Sequence, residues 1–171
     1  MKTVKIILAI IVVAFASCVK DKPNKTVPTT VNLSAGKKVF IINEGNFMNA
    51  NASVSLYDTG NESVVENYFY AQNNSALGDV AQSINKINND YYIVVNNSGK
   101  IVVCNEYFVV RRNISGLTSP RYIIPVSNQK AYVSDLYANA ISIIDLNKGT
   151  KTGSIPCGGW TEKMVMLYNK V

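Results

Sequence analysis

Short apolar runs separated by turn-forming residues dominate the chain from residue 39 onward. The runs are rich in valine, isoleucine and tyrosine, and asparagine, glycine, aspartate and proline stand between them. Such runs, bounded by turn formers, are typical of strands. They are Val39–Ile42, Ser53–Tyr57, Tyr91–Val95, Lys100–Cys104, Tyr107–Val110, Tyr122–Ile124, Ala131–Val133, Ala140–Ile144 and Thr150–Ile155. No stretch of this region sustains a helical period, so the pattern predicts an all-β domain.

The runs also recur in a fixed order, at an offset of about 40 residues. Three runs of the unit that begins at Ser83 overlay three runs of the unit that begins at Tyr122. Each unit then adds a fourth run, Tyr107–Ile114 in the first and Thr150–Ile155 in the second. Four short strands in a unit of this length are typical of one blade of a β-propeller. The first unit starts at Lys38 and has no run that matches an inner strand. At the other end, Glu162–Leu167 overlays an inner strand, and the next strand has only begun at residue 171.

We therefore predict a partial β-propeller over residues 33–171, with about three four-stranded blades. Propellers contain about four to eight blades, so we expect the chain to be an N-terminal fragment of a longer one. A compact sandwich of about a dozen strands is the alternative fold.

The first 17 residues have the layout of an export signal. Two lysines precede an apolar run over residues 6–15, which is shorter than the roughly 20 residues needed to span a bilayer. The segment Phe15-Ala-Ser-Cys18 resembles the lipobox of bacterial lipoproteins, in which the cysteine carries lipid. We predict a lipoprotein signal peptide at residues 1–17 and lipidation of Cys18. A plain signal peptide or an uncleaved signal anchor is the alternative.

Residues 18–32 are rich in charged residues, proline and threonine, and have almost no bulky apolar side chain to bury. This composition predicts a lipid-anchored tether. The pair Lys20-Asp21 resembles the surface-export signal of Bacteroidetes lipoproteins. We therefore expect the protein in the cell outer membrane, facing the exterior, with a lipid anchor as its only contact with the membrane.

Composition and charge exclude several functions. The chain has no histidine, which excludes catalysis by a Ser-His-Asp triad and zinc sites that use histidine. The net charge of +6 comes partly from lysines before residue 26, and the later basic residues are scattered, so we expect no nucleic-acid partner. Export permits a disulfide between Cys104 and Cys157, but Cys104 lies inside a strand run and is expected to be a small buried hydrophobe. No metal site, cofactor or catalytic residue is predicted.

Two segments resemble a known family. Lys130–Asp135 followed by Ala140–Thr150 is similar to the YVTN-type repeat of exported bacterial propellers. Ile42–Phe47 followed by Asn51–Asp58 resembles the first blade of Bacteroidetes surface lipoproteins of the DUF5074 or YncE-like type. These include BtuG-like proteins, which capture cobalamin above an outer-membrane transporter. The resemblance implies a seven-bladed ring, with one face that captures cobalamin or a similar small molecule and passes it to the transporter.

Propeller geometry indicates which residues would line that face. Loops from an outer strand to the next inner strand open on the same side as loops between the second and third strands. Aromatic rings with amide and charged neighbours would suit a large, flat, amide-rimmed ligand. The asparagines also suit tight turns, Asp135 could satisfy local backbone amides, and Trp160 could fill space between blades. The candidate ligand-binding residues are Asn43, Glu44, Asn46, Phe47, Gln82, Asn96, Asn97, Arg121, Asp135, Tyr137 and Trp160.

Two other functions compete with ligand capture. The same face could belong to a surface scaffold that binds protein or glycan. A lyase or hydrolase would need paired carboxylates, for which Glu44, Asp79 and Asp135 are the candidates. Because nothing in the sequence places two of these carboxylates together, we expect a binding protein rather than an enzyme.

Overall fold

Consecutive strands pair with their neighbours in three antiparallel sheets of a computed structural model, which describes residue 33 and residues 36–168. The predicted signal peptide, the tether and Cys18 lie outside the described residues. The strands are β1 (Lys38–Asn43), β2 (Ser53–Asp58), β3 (Ser63–Val65), β4 (Ala81–Ile87), β5 (Asp90–Val95), β6 (Lys100–Cys104), β7 (Val110–Ile114), β8 (Pro120–Pro125), β9 (Lys130–Asp135), β10 (Ala140–Asp145) and β11 (Thr150–Pro156).

Each sheet is one propeller blade. Blade 1 has the order β1-β2-β3, blade 2 the order β4-β5-β6-β7, and blade 3 the order β8-β9-β10-β11. Blade 1 therefore has three strands, and β1 is the edge where the inner strand of a four-stranded blade would pair. These sheets confirm the predicted all-β, partial β-propeller fold.

Blades adhere to one another through their buried faces. Successive side chains of a strand point to opposite faces of its sheet, so the central strand β5 serves two interfaces. Ile93 and Val95 pack into the core shared with blade 1, and Tyr92 and Val94 pack into the core shared with blade 3. Each fully buried aliphatic side chain of this size contributes about 1.5–3 kcal/mol relative to an exposed one. A strand with two buried faces must be apolar throughout, which explains the unbroken run Tyr91–Val95.

Three details of the structure differ from the sequence prediction. Helix α1 (Tyr68–Asn73) follows β3 and buries Tyr68 and Phe69 in the core between blades 1 and 2. It has six residues, too few for an apolar period to be visible in the sequence. Within the described residues none of the helices is long and apolar enough to cross a membrane.

The fourth strand of blade 2, predicted at Tyr107–Ile114, ends where predicted but starts later, because residues 105–109 form a turn and β7 begins at Val110. The Asn105 side-chain oxygen accepts hydrogen bonds from the backbone N–H groups of Tyr107 (3.0 Å) and Val109 (2.9 Å). Phe108 has a φ of 66°, which is incompatible with a strand.

The inner strand predicted at Glu162–Leu167 is also absent. Residues 157–166 have no strand structure, and Leu167 forms a single bridge. An inner strand needs the second strand of its blade as a ladder partner, and the described residues contain no strand after β11.

Cys104 and Cys157 are both free, so the structure contains no disulfide between them. Cys104 is fully buried in β6, as predicted. Burial is the main cause that raises the pKa of the Cys104 thiol to about 12, from an ordinary value of 9.0.

We expect iodoacetamide at pH 8 to modify Cys157 and to leave Cys104 unmodified in the folded protein, because the thiolate is the reactive form. Peptide mass mapping with and without denaturant measures this. The pKa of Cys104 is higher in the folded state than in the unfolded state. The protonated thiol therefore contributes fully to the free energy of unfolding below pH 9, and this contribution is lost as the pH rises towards 12. Rapid modification of Cys104 in the native protein would contradict the buried position.

Candidate ligand-binding face

Six loops lie at the same end of the three blades and form what we call the loop face. In an antiparallel meander the chain reverses direction at every strand, so the loop between the second and third strands lies at the same end as the loop that leads into the next blade. Hydrogen bonds between these loops hold them together, as described below. The loop face comprises residues 44–52, 74–80, 96–99, 115–119, 136–139 and 157–166.

Asp79 joins the loops of blades 1 and 2. Its side-chain Oδ2 accepts hydrogen bonds from the backbone N–H of Met48 (2.8 Å) and from the amide of Asn97. The Asn97 hydrogen bond is the main cause that lowers the pKa of Asp79. Val80, the next residue, has a φ of 60°, a strained value for a β-branched residue. Asp79 is buried and links the loop of blade 1 to the loop of blade 2. The sequence did not indicate this role.

Asp135 plays a similar role within blade 3. It is fully buried at the end of β9. Its carboxylate accepts hydrogen bonds from four backbone N–H groups, those of Thr118, Ser119, Tyr137 and Ala138, at 3.0–3.1 Å. The carboxylate therefore holds two loops of the face in place, and its oxygens point into the protein rather than towards a ligand.

Two asparagines at the ends of the other second strands also bond within the protein. Asn96 is buried and its amide donates to the hydroxyl of Ser119 (2.8 Å) and to the carbonyl of Pro120 (3.0 Å). Asn43 donates to the hydroxyls of Ser53 (3.1 Å) and Ser55 (2.9 Å) on the adjacent strand β2. With Asp135, these residues position the loops.

Three polar side chains form a continuous hydrogen-bonded row across the inner side of blades 2 and 3, which we call the polar belt: Gln82, Arg121 and Glu162. The Arg121 Nε lies 3.0 and 3.1 Å from the two carboxylate oxygens of Glu162, and its Nη1 donates to the Gln82 side-chain oxygen. Gln82 also donates to the hydroxyl of Tyr122 at 3.4 Å. The belt thus connects β4, β8 and the segment that follows β11.

Glu162 was not among the residues predicted for the site. The signal was present, because Gln82 and Arg121 are each the second residue of an inner strand, and Glu162 overlays the same position one unit later. The repeat alone does not indicate which side chains of neighbouring blades meet.

Tyr137 and Trp160 are the second feature of the loop face, which we call the aromatic pair. Their rings meet edge to face with centroids 6.4 Å apart, and the residues are 63% and 73% exposed. Next to Trp160, the Thr161 hydroxyl accepts from the Asp135 N–H (2.8 Å) and donates to the Asp135 carbonyl (3.0 Å), and the Thr161 N–H donates to the same carbonyl (3.2 Å). Because Trp160 is two residues from Glu162, the aromatic pair adjoins the polar belt.

The remaining candidate residues lie in the loop between β1 and β2 of blade 1, apart from the polar belt and the aromatic pair. Phe47 is exposed, and Asn46 donates its backbone N–H to the side chain of Asn51 at 2.7 Å. The backbone carbonyl of Glu44 accepts from the N–H of Ala81 at 3.2 Å, while the Glu44 side chain is exposed. These residues lie on the loop face beside the Asp79 junction, on the blade 1 side.

The structure therefore divides the eleven predicted residues into three groups, of which the blade 1 loop residues Glu44, Asn46 and Phe47 are one. A second group forms side-chain hydrogen bonds within the protein that position the loops: Asn43, Asn96, Asn97 and Asp135. Gln82, Arg121 and Glu162 meet in the polar belt, and Tyr137 meets Trp160, which is two residues from Glu162 in the chain. Both aromatic rings are open to solvent. Groups of three or more histidine, cysteine, aspartate or glutamate residues able to hold a metal do not occur in the described part of the chain.

The family model described as "Domain of unknown function (DUF5074)" matches residues 37–170. Among solved structures, hydrazine synthase of Kuenenia stuttgartiensis is similar, with 22% identity, 63% of this chain and 30% of that chain covered, and a TM-score of 0.50. The WD40 β-propeller domain of Doa1 has 15% identity, coverage of 62% and 34%, and a TM-score of 0.50. AztD from Citrobacter koseri has 16% identity, coverage of 64% and 32%, and a TM-score of 0.48.

The first two similarities support the propeller fold and nothing more, since their identities are low. The chain spans about a third of the length of these structures. A comparison with curated protein sequences finds no match.

Proposed function

Since the chain belongs to the DUF5074 family and folds into propeller blades, we propose that it is a ligand-binding protein that captures a flat small molecule on its loop face. The proposal assigns it no chemistry on the ligand. The ligand would be bound by stacking on the aromatic pair and by hydrogen bonds to the polar belt.

The observation that carries this proposal is the exposure of the aromatic pair. Tryptophan and tyrosine bury large apolar areas when they can, and here both rings remain open beside a row of amide, guanidinium and carboxylate groups. Small-molecule sites combine aromatic surface with a few convergent polar groups in this way. The loops that carry the rings are held by Asp135 and Thr161, so the surface is preorganised for binding.

Cobalamin is the specific ligand that we propose. Its corrin ring is large and flat, and the amide groups on its rim match the hydrogen-bonding side chains of the belt. We further propose that Cys18 anchors the protein to the outer membrane through lipid, and that the bound molecule passes to an outer-membrane transporter. The lipobox-like segment and the tether-like composition of residues 18–32 support this location.

Replacing Tyr137 or Trp160 with alanine should weaken cyanocobalamin binding by roughly tenfold, because a central aromatic anchor contributes on the order of 1.4 kcal/mol or more. Titration of the full-length protein by calorimetry and by the visible spectrum of the corrin measures this effect. Tyr107→Ala is the matched control, since Tyr107 is 62% exposed but lies in the β6–β7 turn at the opposite end of the blade.

Absence of heat and of a spectral change with the unmodified protein would overturn the cobalamin assignment. Equal weakening by Tyr107→Ala and Tyr137→Ala would overturn the location of the site on the loop face.

A further inference from the structure

We propose that the ligand of the loop face carries an anionic group that binds Arg121, and that Glu162 is an internal competitor for this position. The inference rests on the proposed function and deepens it, because it names the chemical class: a planar ring system with an attached phosphate or carboxylate. Three observations on the polar belt and the aromatic pair carry it.

The first observation is how Arg121 is held. Its Nη1 donates to Gln82, which lies in β4 at the bulge between Ala81 and Ser83, so one side of the guanidinium is held by a strand of blade 2. Its Nε side is occupied by Glu162 through both carboxylate oxygens, at 3.0 and 3.1 Å. An arginine side chain recognises carboxylate and phosphate oxygens through such N–H groups. Glu162 thus occupies the place that an anionic ligand group would take.

The second observation is that Glu162 is easy to displace. Its side chain is 47% exposed, compared with 21% for Arg121, and it stands in the segment 157–166, which has no strand structure. An exposed ion pair of this kind contributes only about 0.2–1 kcal/mol, because solvent screens it. A phosphate group carries more negative charge than a carboxylate, so it can replace Glu162 at little cost.

The third observation is the position of the neighbouring residues. Trp160 precedes Glu162 by two residues and presents an exposed ring. Lys163 follows Glu162, and its Nζ lies 5.8 Å from the ring centre of Tyr122, which adds a second positive charge to this part of the belt. A ligand with a ring for the aromatic pair and an anion for Arg121 would engage both ends of this short segment at once.

The experiment uses two probes that share one planar ring system. Riboflavin is neutral, and flavin mononucleotide is the same molecule with a phosphate. We expect the full-length protein to bind flavin mononucleotide at least several-fold more tightly than riboflavin, measured by quenching of flavin fluorescence at low ionic strength. Glu162→Gln should tighten flavin mononucleotide binding by about two- to fivefold, the equivalent of one exposed ion pair, and should leave riboflavin binding unchanged.

Arg121→Gln should remove the preference for the phosphorylated probe. Arg111→Gln is the matched control, because Arg111 is also paired with a carboxylate, that of Asp90, but lies on β7. The same change in net charge at Arg111 should leave the preference intact, and circular dichroism of each variant monitors folding.

Equal binding of both flavins, with no effect of Glu162→Gln, would overturn this inference and leave ring capture by the aromatic pair in place. Binding of neither flavin by the unmodified protein would overturn this inference, while the cyanocobalamin titration tests the proposed capture separately. Loss of the preference in Arg111→Gln would also overturn it, since the effect would then come from net charge.

Discussion

Replacing Phe108 with alanine is expected to lower the free energy of unfolding by about 3–5 kcal/mol, the range for truncation of a buried phenylalanine. Phe108 is fully buried in the core between blades 1 and 2. Its ring stacks on Phe40 with centroids 4.5 Å apart and lies 5.5 Å from the rings of both Tyr68 and Tyr91. Removal of this ring leaves a cavity where three elements meet, and the aromatic contacts are lost as well.

Urea unfolding of the full-length protein, followed by circular dichroism, measures the loss. Tyr107→Ala is the control, because its side chain is exposed in the same turn and should change stability by no more than about 0.5 kcal/mol. A cost below about 1 kcal/mol for Phe108→Ala would contradict the assignment of this ring to the interblade core.

Replacing Asp135 with asparagine is expected to lower the free energy of unfolding by about 1–3 kcal/mol, the cost of a buried donor left without a partner, and to weaken ligand binding. The carboxylate accepts from four backbone N–H groups in two loops. An amide keeps one acceptor oxygen and turns an NH₂ group towards N–H donors, so at least one buried donor loses its partner. The backbone of Asp135 bonds Thr161, so a shift at the end of β9 after the loss of the carboxylate contacts should also make the loop that carries Trp160 less ordered.

Asp145→Asn is the control for this prediction. Asp145 also caps a turn, with hydrogen bonds from the N–H groups of Asn147 (2.9 Å) and Lys148 (3.0 Å), but its bonds are exposed, so it should cost less than about 1 kcal/mol. The measurements are the urea midpoint and the affinity for cyanocobalamin. An equal loss of stability in the two variants would contradict the prediction that burial of the Asp135 carboxylate makes its hydrogen bonds more stabilising.

Most of the blade architecture could be predicted because each blade repeats the same pattern of apolar strands separated by turn-forming residues. Strands such as β5 and β6 are buried on two faces and must be continuously apolar, while the turns between them need residues such as asparagine and glycine. The repeat of about 40 residues then orders the strands. The start of β7 could not be predicted, because the Asn105 side chain holds residues 105–109 in a turn despite their β-forming composition.

The candidate site was predictable as a surface but not as a set of contacts. The positions of Arg121, Tyr137 and Trp160 relative to the strands indicated that they share one face. Which polar groups bond to the protein and which remain open depends on distances between blades. Asp135 was predicted to bind ligand, yet its carboxylate accepts hydrogen bonds from backbone N–H groups of the protein. Glu162 was left out, yet it pairs with Arg121.

The sequence by itself determined the class of this protein. Its short apolar runs, bounded by turn-forming residues, specify strands, and their recurrence about every 40 residues specifies blades, because both properties can be read from the order of residues along the chain. It also placed the loop face, since the direction of a meander follows from the count of its strands. Only the tertiary structure decided that Gln82, Arg121 and Glu162 form one belt and that Tyr137 meets Trp160. Those contacts join residues from different blades or loops, and packing of the interblade cores sets their distances.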